Sequence, residues 1–217
     1  MMSADNLSNC VFLFAHGAGA GMDSEFMLSL SERLAAYGLE VKRFEFSYMK
    51  KVRAEGKRRP PDRMPKLLSS YEDQIRLHDT DKQIFIGGKS MGGRVASLLA
   101  AEKGELLNIK GVVCLGFPFH PPAKPNNYRG EHLIDIETPT LIVQGERDPF
   151  GTRAEIAKFD FSDQVQVEFL VDGDHSFKPR VKSGVTLEEN LTHSAESIIN
   201  FIKINHIQKT SSNNCHS

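Results

Sequence analysis

Ile84-Phe85-Ile86-Gly87-Gly88-Lys89-Ser90-Met91-Gly92-Gly93-Arg94 decides how this chain is read. Three apolar residues of high strand propensity run straight into a pair of glycines. A helical pattern then begins, with Val95, Leu98 and Leu99 on one face. Between them stands Gly88-x-Ser90-x-Gly92, a serine held at an abrupt strand-to-helix turn. Bulky neighbours two positions to either side of such a turn would collide, so glycine is needed there. The turn would lift the Ser90 hydroxyl above the sheet and set it at a helix N-terminus, where free N–H groups favour developing negative charge.

Two other readings of the same glycines fail. A phosphate-binding Gly-x-x-x-x-Gly-Lys-Ser loop ending at Ser90 would need glycine at position 83, which is Gln83, and residues 84–86 continue a strand where that loop should open. The run Gly17, Gly19, Gly21 misses the dinucleotide fingerprint in both registers, because Met22 or Ser24 falls where the third glycine belongs.

Outward from Ser90 the chain alternates strand-like and helix-like segments. Val11–Phe14 is apolar and stops at His16-Gly17-Ala18-Gly19. Phe26, Met27, Leu30, Leu34 and Tyr37 follow at helical spacing, with Gly38 as a stop. Val41, Phe44 and Phe46 mark a second strand, and a helix is expected from about Pro65 to Leu77. Past the Ser90 helix come Val112–Leu115, a proline-rich loop from Phe117 to Pro125, and Leu141–Val143. A short helix over about 152–159, the alternating strand Val165–Val171 and a last helix from about Leu187 to Ile207 complete the pattern. Apolar strands alternating with helices imply an α/β fold: a compact, doubly wound, mainly parallel sheet of about six strands with helices on both faces. The 217 residues suit one domain spanning the chain, with flexible ends at 1–9 and 210–217. Ligands of such sheets bind at the carboxyl ends of the strands.

A nucleophilic serine requires a base and a group to orient it. His175, in Asp172-Gly173-Asp174-His175-Ser176-Phe177, lies just past the Val165 strand and is the one histidine of eight in a late post-strand loop. Asp148, in Gly145-Glu146-Arg147-Asp148-Pro149-Phe150, lies just past Leu141–Val143. The chain order Ser90, Asp148, His175 fits this fold. Asp148 is preferred as the acid, while Glu146, Asp172 and Asp174 compete for the role. The loop after the first strand is where a second oxyanion donor belongs, so the backbone N–H groups of Ala18 and Met91 are the expected pair. His16 is read as a structural histidine bonded within its loop.

Composition is that of an ordinary soluble protein: 40% hydrophobic, 25% charged, formal net charge −1. Near-neutral charge gives no global reason to expect nucleic acid or an acidic membrane as partner. No apolar stretch approaches a membrane span, and no signal segment precedes Val11, so the expected compartment is the cytosol. Cys10, Cys114 and Cys215 suggest neither a disulfide framework nor a metal site, with Cys114 a small core residue. No metal or organic cofactor is expected; oligomeric state is open.

On these motifs the chain resembles the α/β-hydrolases. It is similar to a small dienelactone-hydrolase-like branch that also holds the animal testis-expressed and NSL-complex subunit relatives. The stretches that carry the resemblance are residues 14–20, Gly56-Lys57-Arg58-Arg59-Pro60-Pro61-Asp62-Arg63, residues 87–94, Leu115 to Pro122, Gln144 to Gly151 and residues 173–177. The resemblance extends over nearly the whole chain, about 12–201. The resemblance implies Ser90 as nucleophile, Asp148 as acid and His175 as base. True dienelactone hydrolases carry cysteine where Ser90 stands here, and the chain has no room for the first two strands of larger relatives.

The expected activity is therefore serine hydrolysis of an ester-type acyl substrate, carboxylesterase-like, through an acyl-enzyme. Thioesterase or peptidase chemistry would need the same residues, and a non-catalytic interaction protein on the same fold is the rival from another class. Residues 50–66 hold eight lysines and arginines, among them Arg58 and Arg59, against Glu55 and Asp62. Such a run is commonly a solvated loop. Following the second strand at the site face, it could instead form a basic rim that steers an anionic ester. Gly17, Phe117 and His120 complete the expected substrate contacts.

Overall fold

The computed structural model describes residues 7–78 and 81–207. Six strands form one parallel sheet: β1 (Cys10–Ala15), β2 (Glu40–Phe44), β3 (Gln83–Lys89), β4 (Ile109–Leu115), β5 (Thr140–Gly145) and β6 (Val165–Leu170), in the order β2-β1-β3-β4-β5-β6. Every neighbouring pair is parallel. The order reverses at β1, whose partners are β2 on one side and β3 on the other. Such a reversal is where ligands of open parallel sheets are generally bound.

Alternation along the strands feeds two cores. Val11, Leu13, Ile84, Ile86, Val112, Cys114 and Ile142 face one side. Phe12, Phe14, Phe85, Val113, Leu115, Leu141 and Val143 face the other. The first side is covered by α3 (Met64–Leu77), through Leu67, Tyr71 and Ile75, and by α4 (Met91–Lys103), through Val95 and Leu99. The second is covered by α1 (Glu25–Ala36), through Met27, Leu30 and Leu34, and by α6 (Leu187–Ile207), through Leu191, Ile198 and Ile202. Each fully buried aliphatic side chain contributes about 1.5–3 kcal/mol. Glu25 in the first turn of α1 suits the helix dipole, and Gly38, at φ 83°, takes the left-handed turn beyond its end.

The structure departs from the sequence expectation in four places. Phe46 is not in the second strand: β2 ends at Phe44, and Phe46 is the N-cap of α2 (Ser47–Glu55). Part of the basic run is therefore helical; Tyr48 and Met49 are its buried side, and Lys50 and Lys51 lie outside. The helix expected over 152–159 is the single turn α5 (Arg153–Ile156), closed by a reciprocal capping box between Thr152 and Glu155. Residues 7–9, expected within a flexible end, form a turn that buries Leu7. The remainder of the two expected flexible ends lies outside the described residues, as does Cys215. No described helix is long and apolar enough to cross a membrane.

Candidate active site

Ser90 occupies the turn between β3 and α4 at φ 50° and ψ −114°, a region non-glycine residues avoid. What holds it there is the absence of side chains around it. A Cβ at Gly88 would lie 2.5 Å from the Gly92 carbonyl carbon, and one at Gly92 would lie 2.7 Å from the carbonyl oxygens of both Ala15 and His16. The start of α4 is thus pressed against the end of β1. The Ser90 N–H donates to Leu115 O at 2.8 Å, which fixes the turn from the β4 side. Tyr71 ties β1 to β3 just below: its hydroxyl lies 2.7 Å from the carbonyl oxygens of Leu13 and Gly87 and accepts from the Gly87 N–H at 2.9 Å.

The loops after β5 and β6 bring the other two residues to this turn. His175 Nε2 is 2.9 Å from Ser90 Oγ, and His175 Nδ1 is 2.8 Å from Asp148 Oδ2. Asp148 is fully buried, and its second oxygen accepts the Phe150 N–H at 2.8 Å. The Phe150 ring lies over the imidazole with centroids 4.2 Å apart. With Asp148 accepting from Nδ1–H, Nε2 is left free to accept the serine proton.

The competing carboxylates are engaged elsewhere. Asp172 pairs with Arg147 at 2.8 Å and with Arg180, and the Arg180 guanidinium holds its carboxyl down at about 2. Glu146 takes the Asp172 N–H at 2.9 Å and the Arg153 guanidinium at 2.7 Å. Asp174 accepts the N–H groups of Ser176 and Lys178 and so closes the His175 loop on itself.

Gly17 abuts the turn: a Cβ there would lie 3.8 Å from Ser90 Cβ. Ala18 is exposed beside it, and the Tyr48 hydroxyl donates to Ala18 O at 3.1 Å. Met91 is the first residue of α4, whose first-turn N–H groups have no intrahelical acceptor. His16 is buried and bonded within and next to its loop, with Nδ1 2.7 Å from Gly17 O and Nε2 accepting the Phe46 N–H at 3.2 Å. Burial lowers its pKa below the usual histidine value.

Phe117 follows Gly116, where a Cβ would lie 3.3 Å from His175 Nδ1, and the His120 N–H donates to Phe150 O at 3.1 Å. Phe117 is fully buried against Phe119, and its N–H donates to Gln144 Oε1 at 2.7 Å. His120 is buried, with Nδ1 at 2.9 Å from Pro121 O and Nε2 3.5 Å from Glu155. Neither is hydrogen-bonded to Ser90, Asp148 or His175. Arg59, in the coil past α2, is paired with Glu55 on the exposed surface, and Arg58 is exposed. A depression of about 440 Å³ beside the glycine-rich loop is lined by Met22, Arg43, Phe44, Glu45, Lys50 and Arg53, with Ala54. Arg53 there bonds Asp23 at 2.7 Å and Glu45 at 2.6 Å.

Three residues with clear places around the serine went unnoticed in the sequence: Phe150 over the imidazole, Tyr48 on the glycine-rich loop, and Lys89, whose Nζ donates to His175 O. Phe150 could have been found from its place two residues after Asp148; Lys89 and Tyr48 carried no signal apart from proximity to a motif. Cys114 is a core residue as expected, its Sγ donating to Gly93 O at 3.3 Å, and burial pushes its thiol up to about 12. No group of three or more metal-ligating side chains occurs among the described residues.

Comparison with known proteins agrees with this architecture. A family model described as an alpha/beta hydrolase domain matches residues 8–203. Among solved structures, Est1E from Butyrivibrio proteoclasticus is similar over 91% of this chain and 90% of its own, at 18% identity and a TM-score of 0.63. The dienelactone hydrolase from Anabaena variabilis is similar over 88% of this chain and 86% of its own, at 21% identity and a TM-score of 0.63. The esterase domain of a Rhodothermus marinus protein covers 92% of this chain and 88% of its own, at 15% identity and a TM-score of 0.64.

Proposed function

Because the chain belongs to the α/β-hydrolase family, we propose that it hydrolyses a small ester-type acyl substrate with Ser90 as nucleophile, His175 as general base and Asp148 as the acid that orients it. One observation carries the reading: the unbroken run of short contacts from Ser90 Oγ through both imidazole nitrogens to a fully buried carboxylate.

On this reading Ser90 Oγ attacks the acyl carbonyl while its proton passes to His175 Nε2. Asp148 stabilises the imidazolium, and the Phe150 ring keeps it in plane. The negative charge that develops on the carbonyl oxygen is met by the Ala18 and Met91 N–H groups; one such donor typically contributes ~10²–10³ in rate. Tyr48 fixes the peptides on both sides of Ala18, its hydroxyl lying 3.3 Å from Gly17 O, the carbonyl of the unit that carries the Ala18 N–H, and 3.1 Å from Ala18 O. The imidazolium returns its proton to the leaving alcohol, and water then attacks the acyl-enzyme with His175 again as base. Small residues at Gly17 and Ala18 let the substrate approach the main chain. The motifs shared with the dienelactone-hydrolase-like branch and its testis-expressed and NSL-complex relatives lead us to place the chain there, as a member with serine in place of cysteine.

The test is labelling of the whole protein by a fluorophosphonate, which reacts with activated serines, alongside turnover of an ester, thioester and lactone panel. Wild type should label, and Ser90→Ala and His175→Ala should not, with circular dichroism unchanged. Folded wild type that neither labels nor turns over any ester would overturn the reading and favour an interaction role for the fold. Thioester turnover well above ester turnover would replace the substrate class but keep the residues.

A further inference from the structure

Lys89 is the last residue of β3 and stands immediately before Ser90, yet it does not behave as a surface lysine. Its side chain crosses to the loop after β6. Nζ donates to the main-chain carbonyl of His175, and lies 5.4 Å from the centre of the Phe26 ring and 5.6 Å from that of Phe177. Gly116 makes room for it. At φ 64°, just after β4, a Cβ there would come within 2.8 Å of Lys89 Nζ and within 3.3 Å of His175 Nδ1. Among the described residues no carboxylate forms an ion pair with the ammonium.

We propose that Lys89 is a positioning residue that clamps the His175 main chain to the strand carrying Ser90, holding the imidazole in register with both Ser90 and Asp148 while its ammonium is charged. The inference rests on the reading of Ser90 and His175 given above. The tie is short: Lys89 is joined to Ser90 by a peptide bond, and its Nζ donates a hydrogen bond to the base's own carbonyl. A charged donor makes a hydrogen bond roughly twice as strong as a neutral one, so charge matters to the clamp. The two rings contribute a cation–π attraction that also disappears with the charge.

That charge is removable within a working pH range. Burial pushes the Lys89 pKa down to about 8. The charged and titratable groups around it are Asp148 from the loop after β5, and Asp174 and the His175 imidazole from the loop after β6. The two carboxylates favour the ammonium, but desolvation outweighs them. The other sides present the Phe26 and Phe177 rings and Gly116, which carry no charge. The clamp is therefore fully formed below about 8 and weakens as pH rises through that value. Hydrolysis should show an alkaline limb of lysine origin, although serine hydrolases of this kind need only a neutral imidazole.

The experiment compares full-length wild type, Lys89→Met and Lys89→Arg, with kcat and KM for a neutral p-nitrophenyl ester and fluorophosphonate labelling rates followed from pH 6 to 10. Wild-type kcat and labelling rate should fall above about pH 8. Lys89→Met should lower kcat about 10- to 100-fold with KM within about twofold, the signature of a misplaced base rather than lost binding, and should lose the limb. Lys89→Arg, whose guanidinium does not titrate here, should keep more activity than Lys89→Met and move the limb out of range. A folded Lys89→Met with wild-type kcat and the same limb would overturn the proposal. If that variant does not fold, a Lys89→Arg profile that still breaks at the wild-type pH would overturn it instead. Failure of the underlying reading looks different: wild type would then fail to label at any pH and match Ser90→Ala, which removes both conclusions together.

Discussion

Two regions border the same end of the sheet and are built on opposite principles. The turn carrying Ser90 is main chain packed on main chain, with Gly88 and Gly92 so close to their neighbours that a single methyl group has no room. The basic segment from α2 to the start of α3 is side chain on side chain in water. Arg59 pairs with Glu55 and Lys66 with Asp62, each four residues apart in the chain, while Arg53 reaches Asp23. Contacts of the first kind have one solution and no redundancy. Exposed pairs of the second kind contribute about 0–1 kcal/mol each and can be exchanged for one another. Chemistry that needs sub-ångström placement is seated on the first kind; the second can supply only a field.

The contrast predicts a graded set of effects. Gly92→Ala should be the most damaging, because its Cβ would meet two carbonyl oxygens at 2.7 Å and the clash has no flexible partner to absorb it. A loss of about 4 kcal/mol or more is expected, read as a collapse of the urea midpoint or as insoluble protein. A stable, labelling Gly92→Ala would break the comparison outright. Next, Asp148→Asn should leave the urea midpoint nearly unmoved and lower kcat by about 10⁴, because the amide favours the wrong imidazole tautomer. A smaller effect is expected for Tyr48→Phe, which removes the hydroxyl holding the Ala18 carbonyl. Its kcat should fall several-fold with little change in KM, measured on the same ester.

His16 joins the two regions, since it leaves β1 and its Nε2 accepts the N–H of Phe46, the N-cap of α2. That bond requires the neutral ring, and burial keeps the folded-state pKa below the usual 6.5. The unfolded chain therefore binds a proton that the folded one resists. The stability this contributes is complete above about pH 6.5 and is lost as pH falls below it. The urea midpoint of wild type should decline over that window, and His16→Asn should flatten the decline; an unchanged slope would count against the linkage. The least change should come from Arg58→Ala/Arg59→Ala. Neutral-ester kcat/KM should move less than about threefold, and only anionic esters should lose their salt dependence. Parallel salt curves for neutral and anionic esters in wild type would dismiss the rim as a steering device.

The sequence was most legible where one physical requirement acts alone. Unbroken apolar runs marked β1, β3, β4 and β5, and the 3.6-residue spacing of Leu191, Ile198 and Ile202 marked α6. The Ser90 turn was legible because only glycine tolerates such approach. Legibility failed where requirements compete. In α2 the basic composition of a solvated loop masked a short helix whose buried side is Tyr48 and Met49, and Phe46 continued an alternation that the chain had already abandoned. The choice among Glu146, Asp148, Asp172 and Asp174 could not come from spacing alone. It depends on which carboxylates Arg147, Arg153 and Arg180 engage, and those partners lie in loops whose paths are tertiary. Lys89 was silent for the same reason: nothing in Gly-Lys-Ser says whether the lysine turns out to water or back toward His175.

The pairing of α1 with α6 has a consequence during synthesis. Met27, Leu30 and Leu34 are made early, but the helix that shares their side of the sheet is made last. The α3–α4 side of the sheet can assemble as the central strands emerge, whereas on the other side α1 leaves the β4–β6 half open, with Val113, Leu141 and Val143 short of cover, until Leu191 and its neighbours leave the ribosome. A nascent chain stalled before α6 would carry a half-dressed sheet and should be a strong client for a holding chaperone.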